Sequence, residues 1–350
     1  KRVLEQNGDH LESRVSEVYA LMDQREYPLA REKLLGLDRE VHNAASVAAL
    51  KQVWSTHNSY ELDSRVMYGQ GEGSALSNSD LLLDTRLFGR PMNDNYRVYG
   101  RYVDSWADLP GNEGKGRFNR VGVGVQQRSR LLNWHAELSQ SIAESTNLGA
   151  SIGASFLPSD HWTFSGELQT YSQATPLRAI NDGVDGKSAD ASVAYRWHEG
   201  RKASVSYSFL DFSDGNQRQA VAASYTHRVS QDPRHQWSLT ESVYLSKNSE
   251  DDNRLYFNPE QDSSVSLTAH YYGLLSQSAR RRWTQRLSVG VGSYRQRNYA
   301  AGFIWDVDYE QQWRLDNDLS ISYGALYKRR SYDGADESYR AVYGAVNWRF

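Results

Sequence analysis

An acidic row is the pattern in this sequence that most clearly invites chemistry, because Asp306, Asp308 and Glu310 stand at every second position. In a β-strand, residues two apart point to the same face, so the three carboxylates would lie side by side. Like charges so close repel one another, which folding alone does not favour. A row that faces a water-filled space can attract a cationic solute. Neutralisation of the row by neighbouring arginines is the alternative, and the sequence leaves both open.

The row belongs to a long stretch of alternating apolar and polar residues. From about Val53 to the last residue, apolar side chains recur at every second position, which is the period of a β-strand. Residues 203–208, for example, read Ala-Ser-Val-Ser-Tyr-Ser. Sixteen such segments can be counted, and short links between them alternate with longer ones.

The second face of these strands decides between a sandwich and a barrel. A β-sandwich also alternates, but here Ser, Thr, Gly and charged residues fill the second face, and aromatic residues such as Trp162, Trp237 and Trp348 lie near strand ends. A barrel in lipid has a polar interior and an outer apolar band between aromatic girdles. We therefore predict an all-β fold, a 16-stranded antiparallel transmembrane β-barrel over residues 53–350. Sixteen strands enclose an aqueous lumen.

The predicted closure places further charges near the acidic row. In a closed barrel of sixteen strands, the strand with the row lies three places from the first strand, which carries Glu61 and Asp63 on the polar face. Basic residues of the same parity group on the third and fourth strands instead. A closed barrel has no free edge that needs a partner, so we expect a monomer.

The first fifty residues have a helical period instead. Two amphipathic segments form a hairpin of about 34 residues, the size of one tetratricopeptide unit, and a third helix is predicted from Ala44 to Gln52. A lone repeat cannot bury its faces, so we interpret residues 1–52 as the C-terminal part of a tetratricopeptide-like helical domain in the periplasm. The apolar positions are Val15, Val18, Tyr19, Met22, Ala30, Leu34 and Leu37.

Composition excludes several classes of protein. The 350 residues have a mean hydropathy of −0.72, and no run is apolar enough for a membrane helix. There is no Cys, hence no disulfide framework or Cys-based zinc site. A net charge of −3 gives no support to nucleic-acid binding. The first residues lack the apolar core of a signal peptide, so we expect the chain to be part of a longer exported protein.

Enzymatic and adhesive functions find little support. The sequence contains no P-loop and no histidine pair with metal-ligand spacing. His135 and His270 have the parity of the polar face, and we interpret them as lumen residues in contact with water. We therefore predict no enzyme and no cofactor. A surface hydrolase remains a third class of function, and an adhesin or receptor that binds ligands through the long loop Lys247–Ser263 a fourth.

With these features in place, the chain resembles the outer-membrane exporters of poly-β-1,6-N-acetyl-D-glucosamine, the biofilm polysaccharide of Gram-negative bacteria. The resemblance is carried by the helical hairpin that runs straight into a sixteen-strand barrel, by the loop residues 256–262 (Tyr-Phe-Asn-Pro-Glu-Gln-Asp) and by the terminal Trp348-Arg349-Phe350. Cellulose exporters have the same design and are the nearest alternative. A general diffusion porin is another, although it needs no helical repeats.

The resemblance implies an outer-membrane pore that exports the partly de-N-acetylated, cationic polymer through an acidic lumen. Helical repeats in the periplasm would recruit the deacetylase, and the terminal aromatic residue resembles the signal read by the barrel assembly machinery. The barrel would be embedded in outer-membrane lipid. The residues proposed for the polymer path are Asp306, Asp308, Glu310, Glu61 and Asp63, with Tyr99, Tyr171 and Tyr272 stacking on sugar rings.

Overall fold

In the computed structural model, the described residues ahead of a closed barrel of β-strands form three helices. It describes residues 10–350 apart from 42, 74, 112, 143–146, 251–255 and 317. Residues 1–9 of the predicted helical domain, and the middle of the long loop Lys247–Ser263, therefore lie outside the described residues.

Helices α1 (Leu11–Asp23), α2 (Tyr27–Val41) and α3 (Ala45–His57) pack around one small apolar core. Helix α3 continues to His57, beyond the expected end at Gln52, because Trp54 still packs against this core. The Arg97 guanidinium then donates to the His57 carbonyl at 2.5 Å, which satisfies one of the unpaired carbonyls at the helix end. The buried core residues are Val15, Val18, Ala30, Leu34, Leu37, Val47 and Leu50.

Sixteen antiparallel strands follow in the part of the chain that the structure describes, where the short helix α4 (Leu177–Asn181) lies between the seventh and eighth strands. The strands are β1 (Glu61–Glu72), β2 (Ser79–Phe88), β3 (Tyr96–Asp108), β4 (Lys115–Arg128), β5 (Leu132–Ser141), β6 (Leu148–Phe156), β7 (Trp162–Gln169), β8 (Gly186–His198), β9 (Arg201–Phe212), β10 (Gln217–Gln231), β11 (His235–Asn248), β12 (Gln261–Gln277), β13 (Arg281–Gln296), β14 (Gly302–Leu315), β15 (Leu319–Tyr332) and β16 (Ala335–Arg349).

Each strand pairs with its neighbours in sequence, and β1 closes the barrel by pairing with β16. This closing register runs from Glu61 opposite Arg349 to Glu72 opposite Ser338. The predicted fold class, with sixteen strands after a helical segment, is confirmed. Among the described helices, none has the length and apolar character needed to cross a bilayer.

The two faces of the barrel differ as the alternation indicates. Large apolar side chains such as Leu138, Leu148, Val265 and Phe303 are exposed on the outer face. Polar side chains of the inner face bond to one another across strands, as the hydroxyls of Ser204 and Ser224 do at 2.8 Å. The interruptions of register in the described strands lie at 196–198, 228–230 and 274–276, near the short-turn end. Between these points and the long-loop end, side chains of each strand therefore alternate between the two faces without interruption.

The helices lie at the end of the barrel that carries the short turns, and polar contacts fix them there. Thr56 donates to the carboxylate of Asp318 in the β14–β15 turn at 2.8 Å. Arg25 donates to the side chain of Asn133, at the start of β5, at 2.7 Å. Helical segment and barrel thus form a docked pair.

At the opposite end, the described residues of two long loops pack against the inner face of the barrel. The loop between β7 and β8 brings Tyr171 onto the ring of Phe118 with centroids 4.9 Å apart, and it lays α4 against β3 and β4. The loop between β11 and β12 places Tyr256 on Phe212, also at 4.9 Å. Tyr256 and Ala179 of α4 belong to one buried apolar cluster, so the two loops meet.

Candidate functional site

One half of the lumen, along β2 to β5, is filled by paired charges. Arg101 donates two hydrogen bonds to Asp84, at 2.9 and 2.6 Å. Arg120 and Glu137 lie 3.8 Å apart, and their side chains are only 3% and 1% exposed. Buried charges of this kind require partners, so these residues are part of the framework of the barrel. The grouping of basic residues on β3 and β4 is present, and acids from β2 and β5 compensate it in part.

Glu61 belongs to a similar buried network at the short-turn end. Its carboxylate lies 2.9 Å from Arg128, 3.6 Å from Arg349 and 3.9 Å from Arg97. The side chain is on the inner face, as its parity predicts, but it is buried and compensated. Glu61 therefore joins the first strand to the helix junction and is not exposed to the lumen.

The acidic row is present on β14, and its carboxylates have basic neighbours. Asp306 lies 3.2 Å from Arg330, whereas Asp308 and Glu310 lie 3.3 and 3.7 Å from Arg286. These are the arginines that the alternative reading of the sequence required. The three acid side chains keep between 25% and 33% of their exposure, so solvent in the lumen reaches them. The row is therefore accessible and largely neutralised.

Tyr343 and Tyr272 complete the surroundings of this row. The Tyr343 hydroxyl donates to Asp308 at 2.6 Å. Tyr272 stands directly opposite Arg286 in the β12–β13 register, and its hydroxyl accepts from Arg282 at 3.1 Å. Arg286 is in turn opposite Glu310, so Tyr272 lies level with this end of the acidic row with β13 between them.

The remaining predicted residues occupy different environments. Asp63 is half-buried and lies 3.7 Å from Arg65 on the same strand. Tyr99 is 3% exposed, because Phe88 covers its ring and Gly124 lets it approach the wall, where a Cβ would lie 2.4 Å away. Tyr171 is 4% exposed under Phe118. The expectation that Tyr99 and Tyr171 stack on a sugar needs correction, because neighbouring rings already cover both.

The open half of the lumen lies along β5 to β9. It contains a cavity of about 670 Å³ above Arg25 and Tyr27 of the helical segment. Small polar side chains form most of its wall, which leaves room and hydroxyl groups for a solute. The wall includes Gly153, Ser155, Ser165, Ser192, Ser206 and Ser208.

Two carboxylates face each other in this cavity. Glu167 of β7 is directly opposite Asp190 of β8. The His135 imidazole lies 3.7 Å from Glu167, whereas Asp190 forms no ion pair with any described residue. Parity places both acids on the inner face, but their pairing depends on a register across the long β7–β8 loop. Sequence spacing alone could not identify the pair.

The described residues form no recognisable catalytic arrangement. His270 bonds to Thr240 and Ser288, at 3.1 and 2.9 Å, as a wall residue does. The segment Gly149–Gly153 fits the Gly-x-Ser-x-Gly pattern, but it lies inside strand β6, whereas a nucleophile elbow needs a strand-to-helix turn. Among the described residues, no group of three or more His, Asp or Glu is placed to hold a metal ion.

Comparison with known proteins agrees with this architecture. Residues 56–350 match the family described as the PgaA membrane beta barrel domain. A solved structure titled "Bacterial polysaccharide outer membrane secretin" superposes with a TM-score of 0.78 at 28% identity, over 84% of this chain and 99% of that chain. The barrel is therefore of the outer-membrane type.

Two curated relatives carry the name poly-beta-1,6-N-acetyl-D-glucosamine export protein. They come from Escherichia coli strain K12 and Escherichia coli O157:H7, and each is 30% identical over 308 residues. The match covers 87% of this chain but 38% of each relative, so the chain spans well under half of their length. The resemblance stated from the sequence is confirmed for the barrel family.

Proposed function

We propose that this chain, which belongs to the PgaA membrane β-barrel domain family, forms an outer-membrane pore that exports partly de-N-acetylated poly-β-1,6-N-acetyl-D-glucosamine. The observation that carries the proposal is the similarity of the whole barrel to proteins named for polysaccharide export and secretion. The open, polar half of its lumen supports it. Such a pore needs no catalytic group and no cofactor.

The open half of the lumen is the proposed path of the polymer. Serine hydroxyls along β6 to β9 can exchange hydrogen bonds with sugar hydroxyls and N-acetyl groups. Glu167 and Asp190 supply negative charge for the free amines that deacetylation exposes. Weak, repeated contacts of this kind suit a chain that must keep moving, since tight binding would stop it.

The acidic row forms the proposed second wall of this path. Asp306, Asp308 and Glu310 are exposed enough to exchange Arg286 or Arg330 for a passing ammonium group. Tyr272, beside Arg286, is the aromatic residue kept from the predicted set for stacking on a sugar ring. Asp63, on the first strand, is half-buried and is kept in the proposed path, whereas Glu61 holds the framework together.

The inward loops are proposed to narrow the path on the outer side. Helix α4 and Tyr256 occupy the lumen near the long-loop end, so a polymer must pass beside them or displace them. The helices at the other end are proposed to lie in the periplasm, as the C-terminal part of a tetratricopeptide-like domain in residues 1–52 that recruits the deacetylase. We also propose that the barrel assembly machinery inserts the protein and that it works as a monomer.

A planar-bilayer recording of the purified barrel tests the proposal. We expect partly deacetylated β-1,6-glucosamine oligomers to block the ionic current more strongly than fully acetylated oligomers, and salt to relieve the block. Cellulose oligomers that block equally well would favour a cellulose exporter. A large current that no oligomer reduces would favour a general diffusion porin and contradict the export proposal.

A further inference from the structure

A groove of about 880 Å³ lies on the outer surface of the barrel near the long-loop end. Most of its wall comes from the long-loop ends of β10, β11, β12 and β13, at residues 219–221, 245–247, 261–263 and 295–296. Tyr207 of β9 and residues 297–299, which follow β13, complete it. The odd-numbered residues of these four strand ends lie on the same face as Val221 and Leu245, which are exposed on the outer face of the barrel. The groove therefore opens toward lipid, in contrast to the lumen cavity along β5 to β9.

The groove combines two cations with an apolar wall. Lys247 on β11 and Arg295 on β13 are exposed on its surface, and neither forms an ion pair with a described residue. Arg297 also lines the groove, but Glu260 pairs with it. The one acid in the lining, Asp262, is buried and accepts a hydrogen bond from Ser246 on the inner side. The groove thus carries two positive charges that the described residues do not compensate.

The two cations can reach one ligand together. Lys247 of β11 pairs with Gln261 of β12, and Arg295 of β13 pairs with Ser263 of the same strand. The two cations are therefore two strands apart and offset by two residues. With strands about 4.8 Å apart, the two Cα atoms are separated by about 12 Å, which long, flexible side chains can bridge from both sides. Arg forms paired hydrogen bonds with phosphate oxygens, and Lys adds a point charge.

The height of the groove fits a lipid headgroup. Trp237 and Tyr271, whose rings lie 4.8 Å apart, mark the aromatic girdle at the short-turn end of these strands. Lys247 follows ten residues after Trp237, a rise of about 25 Å along a strand tilted by about 40°, which matches the apolar band of a barrel. Lys247 and Arg295 therefore lie where the band meets the headgroups of the far leaflet.

We propose that this groove binds a phosphorylated lipid of the leaflet next to the long loops. Lys247 and Arg295 hold its phosphate, Gln219, Gln261 and Ser263 donate to its polar headgroup, and Val221 and Leu245 contact its acyl chains. The orientation proposed above makes this leaflet the outer one, whose phosphorylated lipid is of the lipid A class. Lipid binding here is separate from polymer export through the lumen.

Native mass spectrometry of the whole barrel in detergent tests the assignment, with bis-phosphorylated lipid A and the same lipid without phosphates as probes. We expect at least tenfold tighter binding of the phosphorylated lipid, and loss of that difference in Lys247→Gln/Arg295→Gln. The charge-preserving pair Lys247→Arg/Arg295→Lys should retain it. The matched control Lys187→Gln/Arg340→Gln removes two cations from the same rim outside the groove and should bind as the original protein does.

Equal affinity for the two lipids, or undiminished binding by Lys247→Gln/Arg295→Gln, would overturn the proposal. Complete displacement of the lipid by 10 mM inorganic phosphate, roughly the concentration that saturates a simple phosphate site, would also overturn it. Because the polymer path is on the other face, normal polymer block of the current in these variants separates a failure here from a failure of the proposed export function.

Discussion

Glu167 stands directly opposite Asp190 in the β7–β8 register, and both carboxylates face the open half of the lumen. Like charges opposite each other destabilise a sheet. We therefore expect Glu167→Gln/Asp190→Asn to raise the free energy of unfolding by about 0.5 kcal/mol and to lower the preference of the pore for cations. The reversal potential across a salt gradient measures this preference.

A matched control for this pair lies on the outer face of the barrel. Asp211→Asn/Glu241→Gln removes the same two charges, but away from the lumen, and should leave the reversal potential unchanged. If the lumen variant also leaves it unchanged, Glu167 and Asp190 do not shape the field along the path.

Neutralising the acidic row should leave a net positive charge at this part of the lumen wall. In Asp306→Asn/Asp308→Asn/Glu310→Gln, the guanidinium groups of Arg286 and Arg330 lose their acidic partners and repel a cationic polymer. We expect about tenfold lower polymer secretion with a normal amount of assembled barrel, measured by immunoblot of secreted polymer and of the barrel.

Removing the two arginines as well shows whether the lower secretion comes from their uncompensated charge or from a disturbed barrel. Adding Arg286→Gln and Arg330→Gln to the triple variant yields a neutral row that no longer repels the polymer but cannot bind its ammonium groups either, so secretion should recover only in part. Normal secretion by the triple variant itself would contradict the proposed role of the acidic row in polymer export.

Tyr256 anchors the inward β11–β12 loop. Its ring stacks on Phe212, and its hydroxyl lies 2.9 Å from Asp214 and 3.2 Å from Asn216. Tyr256→Ala should remove about 3 kcal/mol of anchoring free energy, release the loop and raise the single-channel conductance. The exposed Tyr299 in the neighbouring β13–β14 loop offers the control Tyr299→Ala, and equal conductance in the two variants would show that Tyr256 does not narrow the pore.

Glu241 is an acid on the lipid face of β11. Either a β-bulge or a position above the apolar band would account for an acid there. The registers with β10 and β12 are continuous there, with Tyr225 and Leu267 directly opposite, so no bulge turns it inward. We expect Glu241→Leu to stabilise the barrel in bilayers, raising the free energy of unfolding by about 1–2 kcal/mol. Glu241→Gln should gain less, and an unchanged value for both would place Glu241 outside the hydrocarbon.

The junction of helix and barrel should weaken in mild acid. Burial at the end of α3 lowers the pKa of His57 from 6.5 to about 4, and the nearby Arg97, Arg128 and Arg349 add to the effect. The unfolded segment binds a proton more readily than the docked one, so docking weakens as the pH falls from 6.5 to 4 and then levels off. Hydrogen exchange along α3 measures this, and His57→Phe, which keeps a ring on Tyr27, should flatten the profile. A profile that is already flat in the original protein would contradict it.

The alternation of residues predicts the barrel well because side-chain parity is a local property. Glu241 and Ser204 take the sides that their parity indicates, since the interruptions of register lie near the short turns. Pairing and burial are different, because they depend on contacts between distant parts of the chain. The parity of Tyr99 is right, yet Phe88 and Gly124 decide that its ring is covered.

Loops that fold inward are harder to foresee. The sequence around Tyr256 is polar and gives no sign that this ring stacks on Phe212, some forty residues earlier in the chain. Likewise, the acidic row on β14 is visible in the sequence, but its arginines come from β13 and β15 at positions fixed only by register. The sequence therefore raises the possibility that arginines neutralise the row, but only the strand register shows that they do.

The pairing of β1 with β16 also sets the order in which the protein can assemble. Glu61 and Arg349 are roughly 290 residues apart, and closing a flexible loop of that length costs about 5 kcal/mol of chain entropy. Contacts of such long range form late and slowly. Until they form, the sheet has two unprotected edges that can pair with another chain. The last step of folding is thus also the moment at which aggregation ceases to compete, and whatever shields those edges during insertion controls the yield of closed barrels.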